Sequence, residues 1–500
     1  MEALSTWQFT ILAMYCGIVA VLSLYGFHRW HNLRLYLRHR HDVIEPPSHF
    51  AELPGVTVQL PIYNEYHVVE RLIEAVGRLD YPRDRLQIQV LDDSTDETTG
   101  RALAAVERLQ AAGIDIDHIH REHRHGFKAG ALEHGLQSAR HEFIFILDAD
   151  FVPSPDVVQR AIHHFTDTGI GMVQMRWGHI NRHHSLLTRI QSIFLDGHLV
   201  IEHTARSRSG RFFNFNGTAG IWRRRAIDEA GGWQHDTLTE DLDLSFRSQL
   251  AGWRFRYLPE VEVPAELPVE MNAFKSQQHR WTKGAVQTAK KLLPRIWRAE
   301  VPLKVKIEAT FHLTANSSHL LILAMAVLML PVVSIREMIP WQQRLLIIDL
   351  PLFSMATMAV SGFYLASQRA LYDDWTTAIK YLPVLMAVGI SLCVNNARAV
   401  FEGLVGYQTG FHRTPKYGAT GTTRVLGSKY AGARTVIAGV ELLMAGYFVL
   451  VIAKAWSIGM YAGIPFLLLF HAGFLYTGSL SGLQPFLTRQ WFRTARAIPA

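Results

Sequence analysis

Two cysteines in 500 residues, Cys16 and Cys393, both inside apolar runs, leave no disulfide framework and no thiolate zinc site to build. Glycine-rich phosphate loops are missing too. Neither GxGxxG nor GxxxxGK[ST] occurs, which argues against a dinucleotide enzyme and against a P-loop ATPase. Charge is sparse: 19% of residues are Asp, Glu, Lys or Arg, against 49% hydrophobic, and the mean hydropathy is +0.08. That mixture fits a soluble domain joined to membrane spans better than either alone. The net charge of +7 sits beside apolar segments, where basic residues mark cytoplasmic flanks, so no nucleic-acid partner is expected.

Against those absences stands a strong apolar pattern. Residues 7–27 are nearly uninterrupted and long enough to cross a bilayer. They lack a basic leader and a small-residue cleavage site, so a retained anchor is expected, not a removed signal peptide. Arg29, Arg34, Arg38 and Arg40 follow, which puts the N-terminus outside and the next segment in the cytoplasm. Further spans are expected at 309–333, 345–366, 436–453 and 458–475. The run 381–394 is apolar for only 14 residues before Asn395, Asn396, Arg398 and Glu402, and is read as lying in the interface. That reading leaves Arg413, Lys416, Arg424, Lys429 and Arg434 inside with Arg489, Arg493 and Arg496, and gives five spans.

Between 55 and 267 strands alternate with helical patterns: strands at 56–60, 86–91, 143–147 and 170–175, helices at 68–79, 98–112 and 128–139. The expected class is α/β, a mostly parallel sheet with helices on both faces. Ligands of such sheets bind at the carboxyl ends of the strands. Three of these ends carry carboxylates: Pro61, Tyr63 and Glu65; Asp92, Asp93 and Asp96; Asp148 and Asp150. A single acidic strand end is an ordinary turn, but three together line one crevice. Asp148 and Asp150 form a hard-oxygen pair suited to Mg²⁺ or Mn²⁺ bridging a diphosphate. Lys128 opens a helix, where a cation and helix N–H groups meet phosphate.

Thr239, Glu240 and Asp241 open another helix, 241–250. Thr239 suits an N-cap and the dipole favours acids there, which accounts for the pattern structurally. A rigidly placed carboxylate is also what a general base requires. Residues 272–297 are amphipathic and basic, as an interfacial helix would be, yet gather Gln277, Arg280 and Trp281 within five positions.

The ordered set Asp92-Asp93, Asp148-Ala-Asp150, Thr239-Glu-Asp241 and Gln277-x-x-Arg280-Trp281 resembles the membrane-embedded family 2 glycosyltransferases, the cellulose synthases and their relatives. The likeness covers roughly residues 55–480. The segments QLPIYNE, VLDDSTD, FNGTAG and QQHRW resemble the plant cellulose-synthase-like A mannan and glucomannan synthases and bacterial counterparts. The resemblance implies a Rossmann-like GT-A catalytic domain in the cytoplasm, fused to a transmembrane channel, with Mg²⁺ or Mn²⁺ as cofactor. Its site residues are implied as follows. Pro61, Tyr63, Glu65, Asp92, Lys128, Asp148, Gln277, Arg280, Thr414 and Lys416 face the donor, and Asp148 and Asp150 hold the metal. Asp241 is the base, with Glu240 and Arg280 beside it. Trp281, Phe215, Asn216, Gly217 and Thr218 meet the acceptor.

The expected domains are an anchor over 1–30, a basic linker over 31–54, the catalytic domain over 55–270 and interface helices over 271–308. A channel over 309–480 follows, with an interface segment at 378–406 and a gating loop at 408–430, then a basic tail over 481–500. Bacterial cellulose synthases usually carry cysteine where Asn216 stands, and the chain ends about 20 residues past its last span, with no cyclic-di-GMP-sensing domain expected. The implied function is processive, inverting transfer of hexose from UDP-glucose or GDP-mannose to a β-linked polysaccharide. The partners are the nucleotide sugar, the polysaccharide and a lipid bilayer, in a bacterial cytoplasmic membrane (or the Golgi of a eukaryote). The alternative is a ceramide glucosyltransferase-like enzyme adding one sugar to a lipid.

Overall fold

The computed structural model describes residues 5–338, 342–408, 413–419 and 436–495. Most of the segment read as a gating loop, including Phe411 and His412, therefore lies outside the described residues. Arg413 to Ala419 lie within them.

Seven strands form one sheet: β1 (Val56–Ile62), β2 (Leu86–Asp92), β3 (Ile116–His120), β4 (Phe143–Ile146), β5 (Ile170–His179), β6 (Gly220–Arg223) and β7 (Arg254–Ala265). Their order is β3-β2-β1-β4-β6-β5-β7. β1 pairs in parallel with β2 and β4, β2 with β3 and β5 with β7, whereas β6 runs antiparallel between β4 and β5. The sheet is thus mixed. β4 is apolar on both faces, as expected of a strand covered by helices on both, whereas β1 and β2 bury Thr57, Gln59, Gln87 and Gln89 on one face, where Thr57 bonds Gln87 and Gln59 bonds Gln89. Val56, Val58 and Leu60 pack with Val69, Leu72 and Ile73, while Ile144 and Ile146 face Leu132, Leu136 and Trp222.

Three strands escaped the sequence pattern. β3 is an edge strand with alternating polar residues, Asp117, His118 and His120. β6 is only four residues long. β7 is interrupted by Pro259 and pairs with β5 across a shift in register between Met175 and Arg176. The helices follow expectation within two residues at most ends: Val69–Gly77, Thr98–Ala111, Phe127–Ser138, Glu240–Leu250 and Met271–Arg298.

Five described helical segments are long and apolar enough to cross a membrane by length and composition: Thr6–His39, Leu303–Glu337, Trp375–Val405, Ile437–Ser457 and Tyr461–Gln484. The count matches the expectation but the set does not. Trp375–Val405 qualifies because helix continues past Val394, so shortness is no ground for excluding it. Helix Gln342–Leu371, expected as a span, has part of its side chains outside the described residues.

One helix joins the two halves. Met271–Arg298, the interface helix, carries Arg280, Gly284, Gln287, Thr288 and Lys291 along one side at helical spacing. That side grips the turn before the Glu240 helix. Gln287 Oε1 accepts from the Leu238 N–H at 2.9 Å, Thr288 Oγ1 meets Thr239 Oγ1 at 3.3 Å, and Lys291 reaches Asp243 at 2.9 Å. Thr239 occupies the N-cap position, but its hydroxyl is drawn to Thr288 and caps nothing. On other sides, Lys283 and His279 meet Glu402 at 3.0 and 3.3 Å, and Asn272 Nδ2 donates to the Ser481 carbonyl at 3.1 Å. The turn before the Glu240 helix and the apolar helices thus share one rod.

The contact is closest at Gly284, where an added Cβ would lie 2.5 Å from Thr239 Cγ2 and 2.8 Å from its backbone nitrogen. Overpacking of this kind costs roughly 1–3 kcal/mol. Gly284→Ala should therefore move the turn off Arg280 and cut the turnover rate at least ~10-fold, one factor of ten per 1.4 kcal/mol. Circular dichroism should show the helices and sheet retained; a wild-type rate would show that the close approach does not position the site.

Candidate active site

At the carboxyl ends of β1 and β4 the chain opens into a cleft of about 180 Å³. Its wall includes Pro61, Tyr63 and Glu65 after β1, Asp148 and Asp150 after β4, and Lys128 from the Phe127–Ser138 helix. Asn216, Gly217, Glu240 and Asp241 form its floor side, the interface helix contributes Gln277, Arg280 and Trp281, and Arg413, Thr414 and Lys416 come from far along the chain. Residues separated by more than 300 positions meet in one space.

Three expected residues lie elsewhere. Asp92 is fully buried, taking hydrogen bonds from the Ser94 N–H at 2.9 Å and from His118 at 3.0 Å. Burial alone would raise its carboxyl, but those hydrogen bonds outweigh it and hold it at about 2. Its neighbour Asp93 lines the cleft instead, clamped by Arg121 at 2.6 and 2.7 Å. In a strand successive side chains point to opposite faces, so only one of the pair can face the ligand. Phe215 is also fully buried, its ring edge-on to Trp222 in the core beneath the site. Thr218 lies behind the wall, where its Oγ1 accepts from the Asp148 N–H at 2.8 Å and fixes the start of the acidic turn. Phe215 and Thr218 therefore support the loop that presents Asn216 and Gly217, and neither faces an acceptor directly.

Other lining residues went unforeseen. Arg124 lies over the Tyr63 ring, 3.4 Å from its centroid. Glu266, just past β7, accepts from the Tyr417 N–H at 2.8 Å through its side chain, while its carbonyl accepts from Lys416 at 2.8 Å. Trp177 and His179, at the end of β5, complete the wall. Their signal was the β5–β7 pair, which a sequence reading ending at Met175 could not supply.

The electrostatics are those of crowded carboxylates held by cations. Lys128 Nζ contacts Asp148 Oδ1 and donates to the Gly217 carbonyl at 2.8 Å. Lys416 Nζ meets Asp150 Oδ2 at 2.7 Å, and Arg413 meets Glu65 at 2.7 Å. Burial raises the Glu65 carboxyl to about 8 despite Arg413. Burial and the neighbouring Glu240 charge raise Asp241 to about 7, with Lys128 offsetting part of the shift. Arg280 is half-buried, and loss of solvent lowers its pKa, while Glu240, Asp148, Asp241 and Glu65 all pull the other way. Its guanidinium thus sits in the field of four carboxylates.

Among the described residues no three His, Cys, Asp or Glu side chains surround one point. Mg²⁺ and Mn²⁺ at phosphate sites need fewer, taking one or two carboxylates and completing the shell with phosphate oxygens and water. Asp148 and Asp150 each already draw an ammonium group, and both present oxygen only. The donor set fits such an ion.

Two outcomes follow. A base must be ionised, so with Asp241 at about 7, kcat/KM should fall ~10-fold per pH unit below 7 and level off above it. A flat profile between pH 5.5 and 8 would contradict that role. Gly217 sits at φ +82°, and a Cβ there would lie 2.9 Å from Asp241 Oδ2. Gly217→Ala should therefore lower turnover ~100-fold, within the range of a lost general base, while tryptophan fluorescence reports an intact fold.

Residues 143–389 match the model of glycosyl transferase family group 2. Glucomannan 4-beta-mannosyltransferase 2 of Arabidopsis thaliana is 43% identical over 290 residues, 57% of this chain and 54% of that protein. Glucomannan 4-beta-mannosyltransferase 1 of Oryza sativa subsp. japonica is 41% identical over 287 residues, 56% of this chain and 54% of that protein. The chain spans about half the length of the curated relatives it matches. Its fold is similar to the mannosyltransferase PcManGT from Pyrobaculum calidifontis, solved in complex with GDP-Man and Mn²⁺. That likeness has a TM-score of 0.52 and 21% identity, over 80% of this chain and 100% of that one. Residues 143–389 are thus similar to glycosyl transferase family group 2, and the mixed sheet with acidic turns at its strand ends has the GT-A type fold of that solved mannosyltransferase.

Proposed function

We propose that the chain is an inverting hexosyltransferase that moves mannose or glucose from a nucleoside-diphosphate sugar to a β-linked mannan or glucomannan. The observation that carries this is Asp241: a carboxylate on a rigid helix start, raised to about 7, in the same cleft as Asp148, Lys128 and Arg280. The relatives named as glucomannan mannosyltransferases support the polymer class, and GDP-mannose is the donor we favour.

The geometry supports the following chemistry. Lys128, Arg280 and Lys416 are placed to take the donor diphosphate, and Tyr63 with Arg124 offers a flat platform at the β1 side. Asp148 and Asp150 would hold the divalent ion, which when bound supplies further positive charge beside the leaving group. Asp241 removes the proton from the acceptor hydroxyl as its oxygen attacks the anomeric carbon. The carbon–diphosphate bond breaks on the opposite face, and Arg280 and Lys128 stabilise the charge that leaves with it. Trp281 offers an indole face on which an acceptor sugar packs.

We infer a membrane topology with the same cleft in mind. Arg413, Thr414 and Lys416 line it together with the acidic turns, so the chain between the interface helix and Arg413 crosses a membrane an even number of times. Segments Leu303–Glu337 and Gln342–Leu371 supply two crossings, with the Cys393–Val405 helix lying along the interface helix through Glu402. We therefore retain 381–394 as an interface segment, with the catalytic domain in the cytoplasm and the growing chain led outward.

Purified protein should form β-mannan from labelled GDP-mannose with Mg²⁺ or Mn²⁺, and EDTA should stop it. Asp241→Asn should bind donor normally yet lose ~10²–10⁴-fold in turnover. A product extracted into organic solvent with one sugar on a lipid would overturn the polymer reading, and more than a tenth of wild-type rate in the variant would remove Asp241 as base.

A further inference from the structure

An inverting transfer leaves the acceptor's proton on Asp241, and the next cycle requires its removal. The main cleft, about 180 Å³, must take both donor and acceptor, so bound sugars compete there with any water that could carry the proton away. A second cavity, of about 80 Å³, lies behind the site. It shares Lys128, Leu238 and Glu240 with the main cleft, so these three form the partition between the two spaces. Its far side is made by His235, Asp236 and Gln408, all exposed, so it opens to solvent away from the main cleft. A site for water needs room for at least one water-sized sphere, about 10–15 Å³, and two or more polar partners. Gln287, Thr237 and Asp236 provide such partners in a space several times that size.

Of the three partition residues, Leu238 carries no proton. Lys128 is committed to Asp148 and the Gly217 carbonyl, both on the main-cleft side. Glu240 adjoins Asp241 at the helix start and touches both spaces. We infer that Glu240 is a proton-transfer residue, passing the acceptor's proton from Asp241 to water in the second cavity. The inference rests on the hexosyltransferase reading. In each turnover the acceptor O–H bond breaks and its proton goes to an Asp241 oxygen. The new glycosidic bond forms as the diphosphate departs with its electron pair. The proton then moves to a Glu240 oxygen and on to water beside His235 and Asp236, where buffer accepts it, leaving both carboxylates ionised. Lys128, Arg280 and Asp148 face Glu240 from the main cleft, and burial raises its carboxyl, so it can hold a proton in transit.

The test is Glu240→Gln in the full-length protein, which keeps shape and removes the exchangeable carboxyl. Donor affinity should stay within about twofold of wild type, while kcat falls at least ~10-fold, toward the range seen for lost proton-transfer groups. Added formate, small enough for the cavity, should restore at least a third of the lost rate saturably, and the solvent deuterium isotope effect on kcat should exceed that of wild type. Glu240→Asp, which retains a carboxyl, should keep at least a third of kcat and ignore formate. A formate-insensitive loss in Glu240→Gln, or a tenfold loss of donor affinity, assigns Glu240 to structure or donor binding and overturns the route. If the wild-type chain transfers no hexose at all, the functional reading fails and this one with it. Wild-type transfer matched within threefold by Glu240→Gln overturns the proton route alone.

Discussion

Seven carboxylates, those of Glu65, Asp93, Asp148, Asp150, Glu240, Asp241 and Glu266, line a single cleft. Removing even one ion from water costs several kcal/mol unless an opposite charge meets it. Here Lys128, Arg280, Arg413 and Lys416 line the same space, one from a sheet-covering helix, one from the interface helix and two from a segment beyond residue 410. No local stretch could hold such a cleft closed, which is why catalytic domain, interface helix and distal segment must assemble together. On the proposed function these cations take the diphosphate, and donors fixed before reaction are worth far more than donors that must reorganise.

The interface helix transmits this requirement to the rest of the chain. Gly284 lets it lie against Thr239, while Gln287, Thr288 and Lys291 fix the turn that aims Asp241. Glu402 binds Lys283 and His279 just before Gly406, at φ +75°, ends the Cys393–Val405 helix. A buried charge pair broken on one side is more costly than one never made. The Cys393–Val405 helix is therefore anchored to the same rod that carries Arg280 and Trp281.

Much of this was legible in the sequence. Acidic residues at the ends of apolar strands must cluster in a parallel sheet, so Asp148, Asp150 and Glu65 could be assigned to one crevice without coordinates. The Glu240 helix start was equally visible, but two causes compete there and only geometry separates them: Thr239 caps nothing, and Asp241 faces the cleft. What stayed hidden depended on pairings across distance. Asp92 and Asp93 are indistinguishable until strand register decides which one points inward. Phe215 reads as a ligand-facing aromatic until β6 brings Trp222 beneath it. Glu266 and His179 follow strands whose partners a linear pattern does not reveal. The second cavity joins positions 126, 235, 287 and 408, which no motif connects.

On the proposed function, the cations now paired with carboxylates form the donor's diphosphate site. A cryo-electron microscopy structure of the full chain with GDP-mannose, Mn²⁺ and the Asp241→Asn substitution addresses it directly. The account predicts the diphosphate between Arg280 and Lys128, with Lys128 and Lys416 released from Asp148 and Asp150. Nucleotide bound outside the cleft, or bound with both lysine–aspartate pairs intact, would contradict it.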